Sequence, residues 1–260
     1  MSWNVRADMP HPTVSIITAV FNNARTLASA IESVRAQTYA PIEHIIIDGG
    51  STDGTLDVIE RYRAGFATVV SEPDHGIYDA MNKGLSAATG DIVGILNSDD
   101  FYANPRVIET VVRTMEEKVV DIVWGDLEYV SSEDTTRVIR HWRSSPYARG
   151  KFRRGWMPPH PTFFVRRSVY GRYGYFRDEL RIAADYELML RFLEKHQVSS
   201  RYIPEMFVKM RVGGASNKSI ANIIKANREA WRAWKMNDLP ASFVTITLKV
   251  IRKVSQFFNT

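Results

Sequence analysis

Two adjacent carboxylates, Asp99 and Asp100, close the stretch DIVGILNSDD at residues 91–100. The apolar part of this stretch is typical of a strand buried on both faces, and a carboxylate is costly to place beside a core. Paired carboxylates at a strand end can bind a hard divalent cation that also holds phosphate oxygens. Because Asn, Ser and Asp are also turn formers, a solvated turn is the alternative.

A further acid, Asp48, ends another apolar run in IIIDGGSTDGT, residues 45–55. The glycines that follow it let the backbone come close to a ligand, and Asp53 is placed to cap a helix. This context favours a ligand site over a plain turn at the two strand ends.

The first hundred residues predict a scaffold that would gather these acids. Short β-rich runs at 14–20, 42–48, 66–71 and 91–97 alternate with helical stripes of apolar residues. This alternation predicts a parallel sheet with helices on both faces. Ligands of such sheets collect beyond the carboxyl ends of the strands. The polar side chains at those ends are Asn22, Asn23, Asp48, Glu72, Asp74, Asp99 and Asp100.

After residue 100 the alternation is less regular. The pattern predicts a helix near 105–117, strands at 121–130, 136–142 and 162–165, an irregular segment at 144–161, a helix around 184–195 and two strands near 199–211. Two helices are predicted in the tail, the second over 241–258 with a narrow polar stripe. The first tail helix is expected to carry Ile220, Ile223, Ile224, Asn227, Trp231 and Trp234 on one side.

The composition is that of a globular protein without disulfides. The 260 residues suit one large domain or two tightly joined halves. The chain has no cysteine, which fits a reducing compartment. Its first residues, MSWNVRADMPHPT, lack the apolar run of a secretion signal, and no apolar stretch is long enough to span a bilayer. We therefore expect a cytoplasmic protein.

Charge is distributed unevenly along the chain. Residues 1–100 hold 6 Lys and Arg against 13 Asp and Glu, whereas residues 101–260 hold 28 against 16. A basic rear half predicts an anionic partner. No nucleic-acid-binding motif accompanies the charge, so we expect no nucleic acid and favour a membrane surface or a pyrophosphate-bearing lipid.

Four motifs occur in the order and at the spacings of one enzyme family: VSIITAVFNN, IIIDGGSTDGT, EPDHGIYDAMNKG and GDIVGILNSDD. Over residues 13–216 the sequence resembles the inverting glycosyltransferases of family 2, which have the α/β GT-A fold. It looks most like those that make bacterial exopolysaccharide, O-antigen or glycolipid sugars. The resemblance implies a Rossmann-like, mostly parallel sheet flanked by helices, with a smaller mixed sheet on the acceptor side and helices at the C-terminus.

The same resemblance divides the chain into regions. Residues 1–12 form a tail, and residues 13–216 form a single glycosyltransferase domain. Within that domain, 13–100 would bind the nucleotide sugar and 101–216 the acceptor. Residues 217–260 would be a C-terminal helical extension.

For the donor base, the resemblance implies contacts from the end of the first strand. The backbone of Ala19, Val20 and Asn22 would lie against the nucleotide base, and Asp48 would read it, usually as uracil. Many relatives have a second Asp where this chain has Gly49, so a contact from that position is lost.

For the diphosphate, the resemblance assigns the acidic pair to a metal-and-phosphate motif. Asp100 would be the direct ligand of Mn²⁺ or Mg²⁺, and Asp99 would contact the donor ribose or a metal-bound water. Met81 stands where many relatives have Arg, so phosphate or sugar contacts are expected from Asp74 or Lys83. The alternative for Lys83 and its neighbours Asp79 and Asn82 is a solvated helix face.

For the reaction, the resemblance implies a carboxylate that accepts the proton of the acceptor hydroxyl. Asp185 in IAADYELML matches that base, although the helix dipole alone also favours an acid in a first turn; Glu187 is the reserve candidate on the acceptor side. His160 would position the acceptor, help hold the diphosphate or serve the structure. Arg211 or Lys218 would reach a donor phosphate from a glycine-containing loop.

The basic rear half suggests how the acceptor is presented. The terminal helix and a basic cluster with Trp156 would seat the enzyme on anionic lipid at the inner face of the cytoplasmic membrane; the cluster is Arg149, Lys151, Arg153 and Arg154. That would suit a saccharide acceptor carried on a polyprenyl diphosphate. The alternative is a helix that packs its apolar side on the domain and leaves a solvated basic stripe.

Two other functions fit parts of this pattern. A sugar nucleotidyltransferase shares the sheet and the metal, but it usually carries an early Gly-rich basic phosphate loop, which AVFNNART lacks. A non-catalytic sugar- or lipid-binding protein would have no need of Asp99, Asp100 and Asp185.

Overall fold

The front half of the chain alternates strands and helices in the computed structural model, which describes residues 11–212, residues 220–240 and Thr245. Its elements are β1 (Val14–Val20), α1 (Ala24–Arg35), β2 (Ile42–Asp48), α2 (Thr55–Arg61), β3 (Thr68–Ser71), α3 (Ile77–Ala87) and β4 (Ile92–Ile95). The strands run parallel in the order β3–β2–β1–β4, which confirms the predicted arrangement. β1 is buried along its whole length because helices cover both faces of the sheet.

The back half continues the same sheet. Its elements are β5 (Asp100–Tyr102), α4 (Val107–Lys118), β6 (Ile122–Val130), β7 (Val138–Trp142), β8 (Phe164–Arg166), α5 (Arg167–Tyr173), α6 (Ala184–Met189), β9 (Ser200–Arg211) and α7 (Ile220–Met236). From β4 the order runs β8–β6–β9–β5, with β7 also paired to β6. β8 is antiparallel to β4 and β6, whereas β6 and β9 are parallel, so this part of the sheet is mixed.

Two strands were expected near 199–211, and that prediction is wrong, because β9 is one strand of 12 residues. Pro204 lies where the register between β6 and β9 shifts, between the pairs Trp124–Tyr202 and Asp126–Met206. Proline cannot donate a ladder hydrogen bond and is accommodated at such bulges. β9 therefore continues through Pro204, a residue type that predicts a break between two strands.

Asp100 lies on an element that the sequence did not predict, and Asp99 lies in the turn just before it. β4 ends at Ile95, and Asp100 begins the short strand β5, where it pairs with Met210 of β9. Asp100 is therefore fixed by strand pairing to the end of β9 as well as by its position after β4.

The helix α7 packs on the domain mainly through its C-terminal half. Its buried side chains are Glu229, Ala230, Ala233 and Trp234, whereas Ile223 and Ile224 are 45% and 49% exposed. Trp234, on the predicted side, is therefore buried, but the two isoleucines of that side lie nearer the start of the helix and are exposed. Ala230, Ala233 and Trp234 belong to the same apolar cluster as β1 and β2 residues, so the boundary predicted at 216 separates no independent core.

The second tail helix predicted at 241–258 lies outside the described residues except for Thr245. None of the helices in the described part of the chain has the length and apolar character needed to cross a bilayer.

Candidate active site

Three loops meet at the carboxyl edge of the front-half strands. The backbone N–H of Asn22, after β1, donates to Ser51 Oγ at 2.8 Å, and Asn22 Oδ1 accepts from Thr52 N at 2.8 Å. Asn23 Nδ2 donates to Ser98 Oγ, in the loop after β4, at 2.9 Å. Side-chain amides thus join the loops after β1, β2 and β4 into one surface, as expected for strand ends of a parallel sheet.

Asp48 lies at this edge but is turned inward. It is 0% exposed, and its Oδ2 accepts from Ser71 Oγ at 2.7 Å, from Ser51 N at 3.1 Å and from Gly50 N at 3.2 Å. These bonds hold the turn after β2. The role of Asp48 in reading a base therefore stays a prediction.

Beside it, the carboxylate of Asp74 occupies the space next to Gly49. A Cβ on Gly49 would lie 2.3 Å from Asp74 Oδ2 and 3.4 Å from Phe21 Cδ2. Phe21 is 60% exposed, although an aromatic side chain buries a large apolar area when it is covered. An exposed ring and a carboxylate thus flank a glycine at the strand ends. The backbone of Ala19, Val20 and Asn22 is predicted to lie near the base of a donor nucleotide, but no sequence signal marks the Phe21 ring between them.

Asp100 is a buried carboxylate with one oxygen left without a hydrogen bond. It is 0% exposed, its Oδ2 accepts from Asn97 Nδ2 at 2.9 Å, and its Oδ1 has no partner. Burial, with a smaller contribution from Asp99, raises the pKa of Asp100 well above its ordinary value, and Arg211 opposes this shift. An orphaned carboxylate oxygen beside a second acid fits a divalent cation.

Arg211, at the end of β9, lies beside Asp99 and Asp100. Its Nη1 donates to the carbonyl oxygen of Asp99 at 2.7 Å, and its Nη2 donates to Ser29 Oγ at 3.0 Å. The guanidinium also lies 4.7 Å from the ring centroid of Phe101. Arg211 is thus beside the acidic pair, whereas Lys218, its predicted companion, lies outside the described residues.

Asp185 lies in the first turn of α6 and is half-buried. Its Oδ1 accepts from Tyr186 N at 2.7 Å. The Tyr78 hydroxyl of α3 lies 2.9 Å from the carbonyl oxygen of Ile182 and 3.2 Å from Asp185 Oδ1, so these two acceptors share its proton. Tyr78 therefore links a donor-half helix to the predicted base.

His160 completes this group through aromatic contacts. The ring of Phe176 stacks on Tyr78 at 5.6 Å and meets His160 edge-on at 5.8 Å. Burial lowers the pKa of His160, with Asp185 acting in the opposite direction, so the imidazole is neutral at pH 7 and can accept or donate one hydrogen bond. His160 and Asp185 are predicted from the sequence as site residues, whereas no sequence signal marks Tyr78 or Phe176.

Tyr129, on β6, connects the two acidic groups. Its pKa is raised by burial, and both Asp100 and Asp185 add to the rise, while Arg140 lowers it. The Arg140 guanidinium lies 3.8 Å from the centroid of the Tyr129 ring. Asp100 and Tyr129 are both register partners of Met210 on β9, so they lie in the same part of the sheet. The charges of Asp100 and Asp185 thus both act on the Tyr129 hydroxyl.

Glu187 is not accessible as a second base. It is 0% exposed, and its oxygens are held by Arg191 Nε at 3.1 Å, Arg191 Nη2 at 2.9 Å and Asn237 Nδ2 at 2.9 Å. Arg177 Nε lies 3.2 Å away as well. These contacts occupy Glu187 in the core and leave Asp185 as the accessible acid of α6.

Lys83 and Asn82 do not lie on a solvated helix face, because their side chains hold the loops around the site. Lys83 Nζ lies 2.8 Å from Glu72 Oε1 and donates to Pro73 O at 3.1 Å, which holds the loop that carries Asp74. Asn82 exchanges hydrogen bonds with the backbone of Phe176 at 2.9 and 3.0 Å.

Trp156 was expected at a membrane surface, and that prediction is wrong. It is 4% exposed and packs edge-on against Trp124 and Phe152 at 5.8 and 5.4 Å. Of the basic cluster, Arg149, Arg153 and Arg154 are exposed.

Residues 15–176 match the family described as glycosyl transferase family 2. The chain belongs to that family. It is 38% identical over 184 residues to an uncharacterized glycosyltransferase of Mycobacterium tuberculosis, covering 69% of this chain and 68% of the relative. It is 29% identical over 214 residues to a PGL/p-HBAD biosynthesis glycosyltransferase of Mycobacterium bovis, covering 80% and 81%. This family 2 member is a glycosyltransferase.

Solved structures show the same fold. S. aureus TarS 1–349 in complex with UDP superposes with a TM-score of 0.67 at 18% identity, over 94% of this chain and 72% of that one. The chain spans 44% of the longer TarS structure. The mannosyltransferase PcManGT of Pyrobaculum calidifontis, in complex with GDP-Man and Mn²⁺, gives 0.64 at 19% identity, over 94% and 69%. The protein therefore has the GT-A fold predicted for it.

Proposed function

We propose that this glycosyltransferase moves a sugar from a nucleotide-sugar donor, with a UDP-sugar as the first candidate, to an acceptor hydroxyl with inversion at the anomeric carbon. The observation that carries the proposal is that the charges of the buried Asp100 and of the half-buried Asp185 both act on Tyr129, which pairs with the same residue of β9 as Asp100. From this we infer that the acidic pair and Asp185 border one cleft. Inversion needs the leaving diphosphate and the proton acceptor on opposite faces of the sugar.

The donor nucleotide occupies the carboxyl edge of the front-half strands. The exposed ring of Phe21 stacks on the base, because a base offers a flat apolar face of matching size. The carboxylate of Asp74, next to Gly49, accepts a base N–H, and the backbone of Ala19, Val20 and Asn22 borders the same space. The UDP complex of TarS and the GDP-Man complex of PcManGT support a nucleoside diphosphate here.

A divalent metal fits beside Asp100. No three His, Cys, Asp or Glu side chains converge within the described residues, so protein ligands alone do not complete a shell, as is usual for Mg²⁺ bound with substrate phosphates. Asp100 Oδ1 would supply the direct ligand, and Asp99 the neighbouring contact. When bound, Mn²⁺ or Mg²⁺ would neutralise negative charge on the leaving diphosphate.

The acceptor side of the cleft provides the base. The acceptor oxygen forms a bond to the anomeric carbon as the bond to the diphosphate oxygen breaks, and the diphosphate leaves with the electron pair. Asp185 receives the acceptor proton, while the Tyr78 hydroxyl fixes the orientation of Oδ1. Neutral His160 lies on the same side and orients the acceptor.

We propose a saccharide or lipid-linked acceptor, such as one on a polyprenyl diphosphate; one relative is named for PGL/p-HBAD biosynthesis. The exposed Arg149, Arg153 and Arg154 would hold the enzyme near anionic lipid. Replacing the three arginines with Gln should reduce co-sedimentation with phosphatidylglycerol vesicles in low salt. Unchanged sedimentation would remove the membrane from the proposal.

The test is a screen of UDP-glucose, UDP-GlcNAc and GDP-mannose for nucleotide release, together with UDP titrations in the presence and absence of Mn²⁺. We expect Asp185→Asn to bind UDP and Mn²⁺ like the parent but to release almost no nucleotide. Near-normal turnover in that variant would move the base elsewhere. Pyrophosphate release from UTP and a sugar 1-phosphate would instead indicate a nucleotidyltransferase.

A further inference from the structure

Three buried side chains, two on α7 and one just after it, contact the beginning of α6, the helix that carries Asp185. Trp234 Nε1 donates to the Tyr186 hydroxyl at 2.8 Å, and Asn237, just after α7, donates through Nδ2 to Glu187 Oε1 at 2.9 Å. The third is Glu229, which is 8% exposed. The residues flanking Asp185 on α6 are therefore held by a helix far along the chain.

Glu229 satisfies backbone donors at the start of α6. Its Oε1 accepts from Arg181 N at 3.1 Å, and its Oε2 accepts from Ile182 N at 2.7 Å and from Ala183 N at 3.0 Å. The N-cap residue of α6 is Ala183, whose side chain offers no acceptor. These three N–H groups precede α6 and end at its N-cap residue, where the partial positive charge of the first helical N–H groups favours a carboxylate. Glu229 thus holds the segment that leads into α6, although it lies 46 residues from Ala183 along the chain.

The segment between these contacts is the one that places Asp185. On one side, Glu229 holds the N–H groups of Ile182 and Ala183; on the other, the Tyr78 hydroxyl meets Ile182 O and Asp185 Oδ1. Ile182, three residues before Asp185, is hydrogen-bonded through both its N–H and its carbonyl group. Loss of either hydrogen bond would leave the first turn of α6 free to shift.

We propose that Glu229 is a positioning residue for Asp185 and that α7 is a working part of the acceptor half. This inference rests on the proposed function, in which Asp185 accepts the acceptor proton. The cost of misplacing a catalytic group by about 1 Å can reach about 100-fold in rate. Neither Asp185 nor Glu229 lies in residues 15–176, so the pair has to be tested directly in this chain.

The experiment compares Glu229→Gln with Asn237→Ala in the full chain. Gln keeps the shape of the side chain but turns one acceptor oxygen into an NH₂ group that faces a backbone N–H. We expect kcat for nucleotide release, from whichever of UDP-glucose, UDP-GlcNAc and GDP-mannose is turned over fastest, to fall at least about 10-fold. The Kd for UDP with Mn²⁺ should change less than about two-fold, since the donor edge is untouched.

Asn237→Ala is the control. It removes a buried contact to the same helix without touching Ile182 or Ala183, and should lower Tm with little change in kcat.

Glu229→Asp is the second variant, because it keeps the carboxylate on an arm shorter by one methylene. We expect a kcat between those of the parent and Glu229→Gln, and if the Gln variant does not fold, this decrease with unchanged UDP affinity is the test. Parental kcat in both Glu229 variants, while Asp185→Asn is inactive, would overturn this inference alone. A loss of kcat no greater than in Asn237→Ala at an equal loss of Tm would overturn it too. Parental turnover in Asp185→Asn would overturn the base assignment, and this inference with it.

Discussion

The carboxylate of Asp74 fills the place that a side chain on Gly49 would take, since a Cβ there would lie 2.3 Å from Asp74 Oδ2. The acid that follows β3 thus lies directly against the end of β2. The absence of a side chain at position 49 is what allows this arrangement.

We therefore predict that Gly49→Ala weakens UDP binding about as much as Asp74→Ala, on the order of 10-fold, because either change removes the carboxylate from this position. In the Asp74→Ala background, Gly49→Ala should have almost no further effect. Isothermal titration of UDP measures both. Gly171→Ala is the matched control, because nothing lies within 4 Å of a Cβ at that helical glycine. Additive losses would contradict the shared position.

The elements that gather the donor edge could be predicted from the sequence. Buried parallel strands such as β1 read as continuous apolar runs, and the acids that follow them stand out against that background. Helical crossovers between successive strands then make those strands parallel, so that their carboxyl ends meet at one edge. For that reason Asp48 and Asp100 could be placed at one edge without coordinates.

The contacts that complete the candidate site could not be predicted in the same way. Tyr78 meets Asp185 across 107 residues of chain, and no periodicity encodes such a pair. On α7, the polar Glu229 is buried while Ile223 is exposed, which reverses the expectation from hydropathy because Glu229 finds three backbone donors. Trp156 reads as a membrane anchor among basic residues, but its ring packs against Trp124 and Phe152 in the core.

A second prediction concerns the Tyr78 hydroxyl. Tyr78→Phe keeps the stacking on Phe176 but removes the contact that orients Asp185 Oδ1, so kcat should fall about 10-fold while UDP affinity is kept. The free energy of unfolding should fall by about 1 kcal/mol, because Ile182 O loses its side-chain donor. Steady-state kinetics and urea unfolding measure the two effects. Tyr102→Phe is the control, since that buried hydroxyl has no hydrogen-bond partner; an equal loss of kcat in both variants would argue against a specific role.

A third prediction concerns the orphaned oxygen of Asp100. Without a cation this buried carboxylate destabilises the fold, so Asp100→Asn should raise the free energy of unfolding of the metal-free protein by on the order of 1 kcal/mol. The same variant should lose the increase in Tm that Mn²⁺ and UDP give the parent. Thermal unfolding with and without both ligands tests this. Asp99→Asn, which alters the less buried acid, should keep part of the response. If Asp100→Asn is less stable than the parent without metal and still shows the full increase in Tm with Mn²⁺ and UDP, another group binds the metal.

A fourth prediction concerns His44, which is buried on β2 and meets the ring of Phe66 edge-on at 5.2 Å. Its ring accepts or donates one hydrogen bond with Thr18 Oγ1 at 3.0 Å, and its Nδ1 has no partner. Burial lowers the pKa of His44 from 6.5 to about 3. Between these two values the unfolded chain binds a proton that the folded protein does not, so stability falls as the pH decreases through this window.

Acidification from pH 6.5 to pH 5 should therefore lower the free energy of unfolding by about 2 kcal/mol through His44 alone, at about 1.4 kcal/mol per unit. Burial also lowers the pKa values of His160 and His196, so these groups add to the slope and the test is the difference between variants. His44→Gln should flatten the dependence measured by urea unfolding. Parallel curves for His44→Gln and the parent would mean that the buried imidazole takes up its proton without unfolding.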